Sequence, residues 1–162
     1  MKYCPQCSSK LVSKLIDDHE RMTCSTECGF THWNNPTPVV AALVKLGSNF
    51  VLARNAKWPE GFFSVISGFL EAGEAPDSAI ARETLEELGL TAKSVKFVGH
   101  YPFPQMNQII IAYMVDAFGD ICSNSEIAET KVLTKEELAA FDFGPLKLST
   151  AIVRTWLALP EA

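Results

Sequence analysis

Apolar and polar positions change period several times along the chain, and each change predicts an element. Val39 to Leu46 is nearly all apolar and reads as a buried strand, Gly47-Ser48-Asn49 as a hairpin turn, and Phe50 to Arg54 as the partner strand. Asn55 to Gly61 is a loop carrying Trp58, and Phe62 to Ile66 is a further strand leading to Ser67-Gly68. From Pro76 the period becomes helical: Ala81, Thr84, Leu85 and Leu88 fall at i, i+3, i+4 and i+7, one buried stripe. Pro76 suits a first helical turn, Asp77 favours the positive end of the dipole, and Gly89 can close the helix. Val95 to His100 and Gln108 to Val115 follow as strands, the second apolar enough to be central. Thr134 with Glu137 forms a capping box for a short helix. Ser149 is expected to cap a last helix through Leu159, with Ala151, Ile152, Trp156 and Leu159 largely buried. Strands mixed with two or three helices imply an α/β or α+β layered domain.

Trp33-Asn34-Asn35-Pro36-Thr37-Pro38 is rich in turn residues and sets a boundary, giving a segment 1–35 and a domain 36–162. A chain of 162 residues suffices for one ordinary domain with a good core and a small appendage. With 48% apolar and 20% charged residues it reads as soluble and globular, and its net charge of −5 argues against a general nucleic-acid or membrane surface. No apolar stretch approaches the length of a membrane span, and the start lacks a secretory apolar region; the expected location is the cytoplasm.

Four of the five cysteines crowd into the first 28 residues, which favours a metal site over a disulfide framework. Cys4 and Cys7 are separated by two residues, Cys24 and Cys28 by three, and each pair can wrap one face of a tetrahedral Zn²⁺. Reduced thiols or a redox pair are the alternatives, and His19 and His32 are discounted as substitute ligands. The charges of this segment cancel, so a structural or dimer-forming role is expected in place of nucleic-acid binding. Cys122 lies outside the set.

The helix between Pro76 and Leu88 also places Glu83, Glu86 and Glu87 together, and like charges at such spacings cost about 0.2–0.5 kcal/mol per pair. A solvated acidic face with an Arg82–Glu86 pair would be the bland account; a bound cation is the functional one. Hard carboxylate oxygens suit Mg²⁺ or Mn²⁺, with phosphate oxygens of a substrate completing the shell. Such a shelf can neutralise a diphosphate and activate water for attack on phosphorus.

Gly68, five residues, Glu74, seven residues, Arg82-Glu83, two residues, Glu86-Glu87, one residue, Gly89 and Leu90 form one long pattern. It resembles the Nudix box of the Nudix hydrolases, with Thr84 where an aliphatic residue is usual. The resemblance implies an α/β/α sandwich with a mixed sheet and hydrolysis of a nucleoside diphosphate linked to another moiety. The cysteine segment, the Ser67-Gly68-Phe69 approach to the box and Tyr101-Pro102-Phe103-Pro104-Gln105 resemble the NADH pyrophosphatase branch. There Gly99-His100-Tyr101 departs from that branch's Ser-Gln-Pro-Trp, Met106 replaces a serine, and the extra amino-terminal domain of larger members has no counterpart.

Together these imply a metal-dependent hydrolase that splits NADH or NAD⁺ into two mononucleotides. ADP-ribose, FAD or nucleoside triphosphates are alternative substrates, and a nucleotide-sensing zinc-ribbon module is the alternative outside the enzymes. Glu83 and Glu87 are the expected metal ligands with the Ser67 carbonyl; Glu86 is a ligand or water-orienting base, and Arg82 holds Glu74 and its loop. Trp58, Phe62, Tyr101 and Phe103 are candidates to stack a base, the proline-bracketed Phe103 on a stiff loop. Glu126 is the expected additional acid and metal ligand, with Glu129 in reserve; if helical, Ser125 to Glu129 would point both the same way. The branch also implies a homodimer, and a capped RNA end is a conceivable substrate.

Overall fold

The computed structural model describes residues 1–159, in two units, Met1–Pro36 and Thr37 onward. The first holds β1 (Leu11–Ile16), β2 (His19–Cys24) and β3 (Thr31–His32) in one antiparallel sheet of order β1-β2-β3. Its buried apolar residues are few: Cys4, Leu11 and Cys24, with Met22 and Phe30 against them.

The second unit is built on β4 (Thr37–Leu46), β5 (Asn49–Asn55), β6 (Ile66–Phe69), α1 (Pro76–Leu88), β7 (Thr91–Phe103), β8 (Gln108–Phe118), β9 (Ile127–Leu133), α2 (Lys135–Ala140) and α3 (Lys147–Ala158). The sheet runs β7-β8-β4-β5-β9, with β6 also pairing β4. β4 and β8 are parallel over ten residue pairs while the other pairings are antiparallel, so the sheet is mixed. Alternation along β4 divides the core. Val39, Ala41 and Leu43 join Phe50, Leu52, Ile152 and Val153 under α2 and α3; Val40, Ala42 and Val44 join Ile80, Leu88 and Leu90 under α1. This is an α/β/α sandwich with a mixed sheet. One side of β4 gives its first half to β6 and its second half to β5, so Ser67 and Gly68 sit in register with Ala41 and Val40.

Three elements differ from the sequence expectation. Phe62–Val65 is not a strand; it is joined to β5 only by the Ala53–Ser64 bridge, and the strand proper is Ile66–Phe69. Two of its three large apolar residues, Phe63 and Val65, are instead used in the core under α3. Tyr101-Pro102-Phe103 is no loop but the end of β7, where an edge strand tolerates a proline; the turn is the 3₁₀ segment Pro104–Met106. Ser149 does not cap α3, which starts at Lys147 after Leu146. It lies buried in the first turn, its hydroxyl 2.8 Å from that of Ser64, a polar link across the core. Val153 takes the buried place expected of Leu159, which is 45% exposed, and Ala151 and Trp156 are half-buried. The Thr134–Glu137 capping box of α2 is present.

The small unit depends on its cysteines, because so little apolar area is available to it. The Sγ atoms of Cys4, Cys7, Cys24 and Cys28 all lie within 4.8 Å of one another. Tetrahedral Zn–S bonds of about 2.3 Å would put sulfurs about 3.8 Å apart, so this donor set fits the ion. The extra residue between Cys24 and Cys28 is absorbed by Glu27 and Gly29, at φ 55° and 94°. Hydrogen bonds from Ser9 and Thr26 draw the Cys7 thiol down to about 5, and Thr26 lowers Cys24. Cys28 is pushed up to about 12, its Phe30 backbone hydrogen bond outweighed by Cys24 and Cys4. Elemental analysis of protein purified without chelator should give about one zinc per chain; absence of zinc, with all four thiols reactive, would contradict the site.

Candidate active site

α1 begins at Pro76 and ends at Leu88, capped by Gly89, whose φ of 70° closes it in the left-handed conformation that glycine adopts without strain. Its buried stripe is Ala79, Ile80, Thr84, Glu87 and Leu88. The expected stripe was one residue out of phase: Leu85 is 53% exposed and Ala81 half-buried. Thr84 fits inside because its hydroxyl donates to the Ile80 carbonyl at 2.7 Å, leaving no unmet polar group. Glu87, expected on an acidic outer face with Glu83 and Glu86, is only 8% exposed.

Arg82 organises the other acids. Its guanidinium donates to Glu74 at 3.0 and 2.9 Å, to Glu83 at 2.8 Å, to Glu86 at 3.0 Å and to the Phe69 carbonyl at 3.1 Å. These bonds hold Arg82 firmly charged, and its hydrogen bonds hold Glu74 below the usual carboxylate range. The loop between β6 and α1 is thereby closed onto the helix. Gly68 has no side chain for a reason visible here: a methyl group would overlap the Glu83 carboxyl. The backbone of β6 and that carboxyl therefore share one place.

Among the described residues no basic side chain pairs with Glu87. Burial, then the charges of Glu83, Glu126 and Glu86, push its carboxyl up to about 7. Glu87 also lines a small depression with Ser67, Asn55, Trp58, Ser64 and Ile127. A larger cleft on the sheet, lined by Lys45, Lys96 and Trp156, contains none of these acids.

Ser125 to Glu129 is not helical. Ser125 and Glu126 form a turn, and Glu129 lies in β9. The two acids consequently part: Glu129 pairs with Arg54 at 3.4 Å, while Glu126 is close enough to raise Glu87. Of the aromatics, Trp58 lines the same depression as Glu87. Phe62 is half-buried outside that depression, and Tyr101 and Phe103 pack into the core under α3, the face away from α1. Sequence reasoning missed Arg54, which also donates to the Trp58 carbonyl at 3.3 Å; its only sequence signal was a charge at the end of an apolar strand.

The donor set suits a hard divalent ion: carboxylates on α1, a nearby carboxylate on a turn, and a backbone strand pressed against one of them. The NUDIX domain family model matches residues 35–152. The chain belongs to the Nudix family. A second model, for the zinc ribbon at the Nudix N-terminus, matches residues 2–34. NAD-capped RNA hydrolase NudC of Mycobacterium bovis is 36% identical over a match covering 75% of this chain and 45% of the relative. That of Vibrio vulnificus is 29% identical, covering 85% and 52%. The chain spans about half the length of these relatives. A solved Nudix hydrolase from Nitrosomonas europaea superimposes with a TM-score of 0.79 at 21% identity, covering 99% of this chain and 95% of that one. The E. coli ORF135 protein gives 0.61 at 22%, covering 76% and 90%. At such identity these solved structures establish the fold alone. No described helix is long and apolar enough to cross a membrane.

Glu87 makes stability depend on pH. Its folded pKa is raised from an ordinary 4.5 to about 7, so the folded state holds the proton more tightly than the unfolded one. That contribution is complete below the unfolded value and is lost as pH rises through about 7. In magnesium- and manganese-free buffer, urea unfolding should show wild-type stability declining across this window and Glu87→Gln removing that decline. A Glu87→Gln variant that loses stability just as steeply would contradict it.

Proposed function

We propose that this chain is a metal-dependent Nudix pyrophosphohydrolase that splits a dinucleotide pyrophosphate, NADH or NAD⁺ foremost, into two mononucleotides. The observation that carries the reading is the buried, uncompensated Glu87 beside Glu83 and Glu126 at the end of β6. The names of the relatives, each an NAD-capped RNA hydrolase, support the substrate class and make a capped RNA end a second candidate.

Glu83, Glu87 and Glu126, with the Ser67 carbonyl, are the residues that would hold Mg²⁺ or Mn²⁺. When bound, such an ion neutralises the diphosphate and lowers the pKa of water. Glu86, the most exposed of the three helix acids and bonded to Arg82, would orient the attacking water. Water adds to one phosphorus, the bridging P–O bond breaks, and the water's proton leaves to a carboxylate or solvent. Arg82 and Glu74 keep the loop closed, and Trp58 offers a ring for a base next to the acids. Phe62, Tyr101 and Phe103 are less well placed for stacking, and Glu129 is committed to Arg54. We assign the protein to the cytoplasm as a homodimer, in which a thin-cored ribbon gains from a neighbour.

A turnover screen over NADH, NAD⁺, ADP-ribose, FAD, nucleoside triphosphates and NAD-capped RNA, with Mg²⁺ or Mn²⁺, tests the reading. Dinucleotides should give two mononucleotides, and Glu83→Gln or Glu87→Gln should lower turnover by about 10²-fold or more while folding is kept. No turnover of any of these, with tight nucleotide binding, would favour the sensor. Near-normal activity of both variants at saturating metal would remove the acids from the mechanism.

A further inference from the structure

The turn bearing Glu126 is tied to the acidic helix through its backbone. α1 stops at Leu88, so the carbonyls of its last turn lack helical partners. The segment before β9 supplies them: the Cys122 N–H donates to the Leu88 carbonyl at 2.8 Å and the Asn124 N–H to the Glu87 carbonyl at 3.3 Å. Contact is close enough that a methyl group at Gly89 would lie 2.9 Å from the Cys122 carbonyl oxygen, a second requirement for glycine there. Asn124 then turns its side chain forward. Its Oδ1 accepts from the Glu126 N–H at 2.9 Å, an Asx turn, and its carbonyl accepts from Ile127 at 3.3 Å. On the other side, the Glu126 carbonyl accepts from the Ala56 N–H at 2.7 Å, in the loop that carries Trp58.

Glu126 itself is exposed, and no basic side chain among the described residues holds it, whereas Glu129 is held by Arg54. The turn therefore sets the place on the backbone from which its carboxylate reaches out. Of the two residues of this segment bonded to the helix end, Asn124 is the one that also bonds Glu126, and it meets the helix at Glu87.

We propose that Asn124 is a positioning residue: bonded to the Glu87 carbonyl through its backbone and to the Glu126 amide through its side chain, it presets the two carboxylates as one divalent-cation seat. This rests on the reading of Glu126 as an acid of the metal shelf. The role needs an acceptor at Oδ1, not an asparagine as such. An alanine removes the side-chain tie and leaves the backbone tie, while a serine hydroxyl restores a weaker acceptor without adding charge.

The test is a set of four variants, Asn124→Ala, Asn124→Ser, Glu126→Gln and the double Asn124→Ala/Glu126→Gln. Mn²⁺ affinity is read by titration calorimetry, which needs no turnover, and kcat and nucleotide KM on NADH are read alongside. Losing one net hydrogen bond predicts Mn²⁺ binding about 5- to 10-fold weaker in Asn124→Ala, with a similar fall in kcat. KM should stay within about twofold, and Asn124→Ser should recover to within about threefold of wild type. In the Glu126→Gln background Asn124→Ala should have no further effect on Mn²⁺ affinity. Wild-type Mn²⁺ binding by Asn124→Ala, or effects that simply add in the double variant, would overturn the inference while a crippled Glu126→Gln leaves the reading of Glu126 standing. Wild-type Mn²⁺ binding and turnover by Glu126→Gln would overturn both.

Discussion

The second unit is arranged around a buried carboxylate, Glu87, with which no basic side chain among the described residues pairs. Glu87 occupies a position on α1 that the packing would give to an apolar residue, with Glu83, Glu86 and Glu126 around it. Arg82, on the same helix, is engaged by Glu74, Glu83 and Glu86, and Arg54 by Glu129. A buried, unpaired carboxylate is expensive, and proteins answer with a proton or a metal ion. Here the proton is held up to about 7, and above that we propose that a divalent cation takes its place.

The rest of the second unit supports that placement. β4 is paired along its whole length with β8 and shares its other side between β6 and β5, so the strand entering the acidic helix is fixed by the centre of the sheet. Alternate β4 side chains feed the two cores, which leaves little freedom for β6 to shift without disturbing both. Arg82 closes the β6–α1 loop by bonding Glu74 and the Phe69 carbonyl, and Gly68 lets the Glu83 carboxyl approach the strand.

The sequence carried a layered domain of strands and helices, the zinc ribbon and the family, because these rest on period, spacing and residue type; the sandwich was implied by the resemblance to that family. It misled where burial and polarity disagree. Leu85 made the apparent helix stripe apolar, yet the true stripe takes Thr84 and Glu87, a hydroxyl satisfied by its own helix and a buried acid. Tyr101 and Phe103 looked like rings on a loop because prolines flank Phe103, but an edge strand accommodates Pro102. Glu126 and Glu129 could not be separated from local sequence: what parts them is the turn and a cross-strand arginine 75 residues away. Ser64 and Ser149, similarly distant in sequence, meet only in the fold.

The central claim, that the Glu87 carboxylate is kept for a divalent ion, is tested most directly by counting protons. Mg²⁺ or Mn²⁺ is titrated into the protein at pH 6 and at pH 8.5, in buffers of different ionisation enthalpy. If Glu87 is the group that gives way, close to one proton is released per ion bound at the lower pH and almost none at the higher. Glu87→Gln should abolish the difference. Binding with no pH-dependent proton release, or release unchanged in Glu87→Gln, would contradict the account.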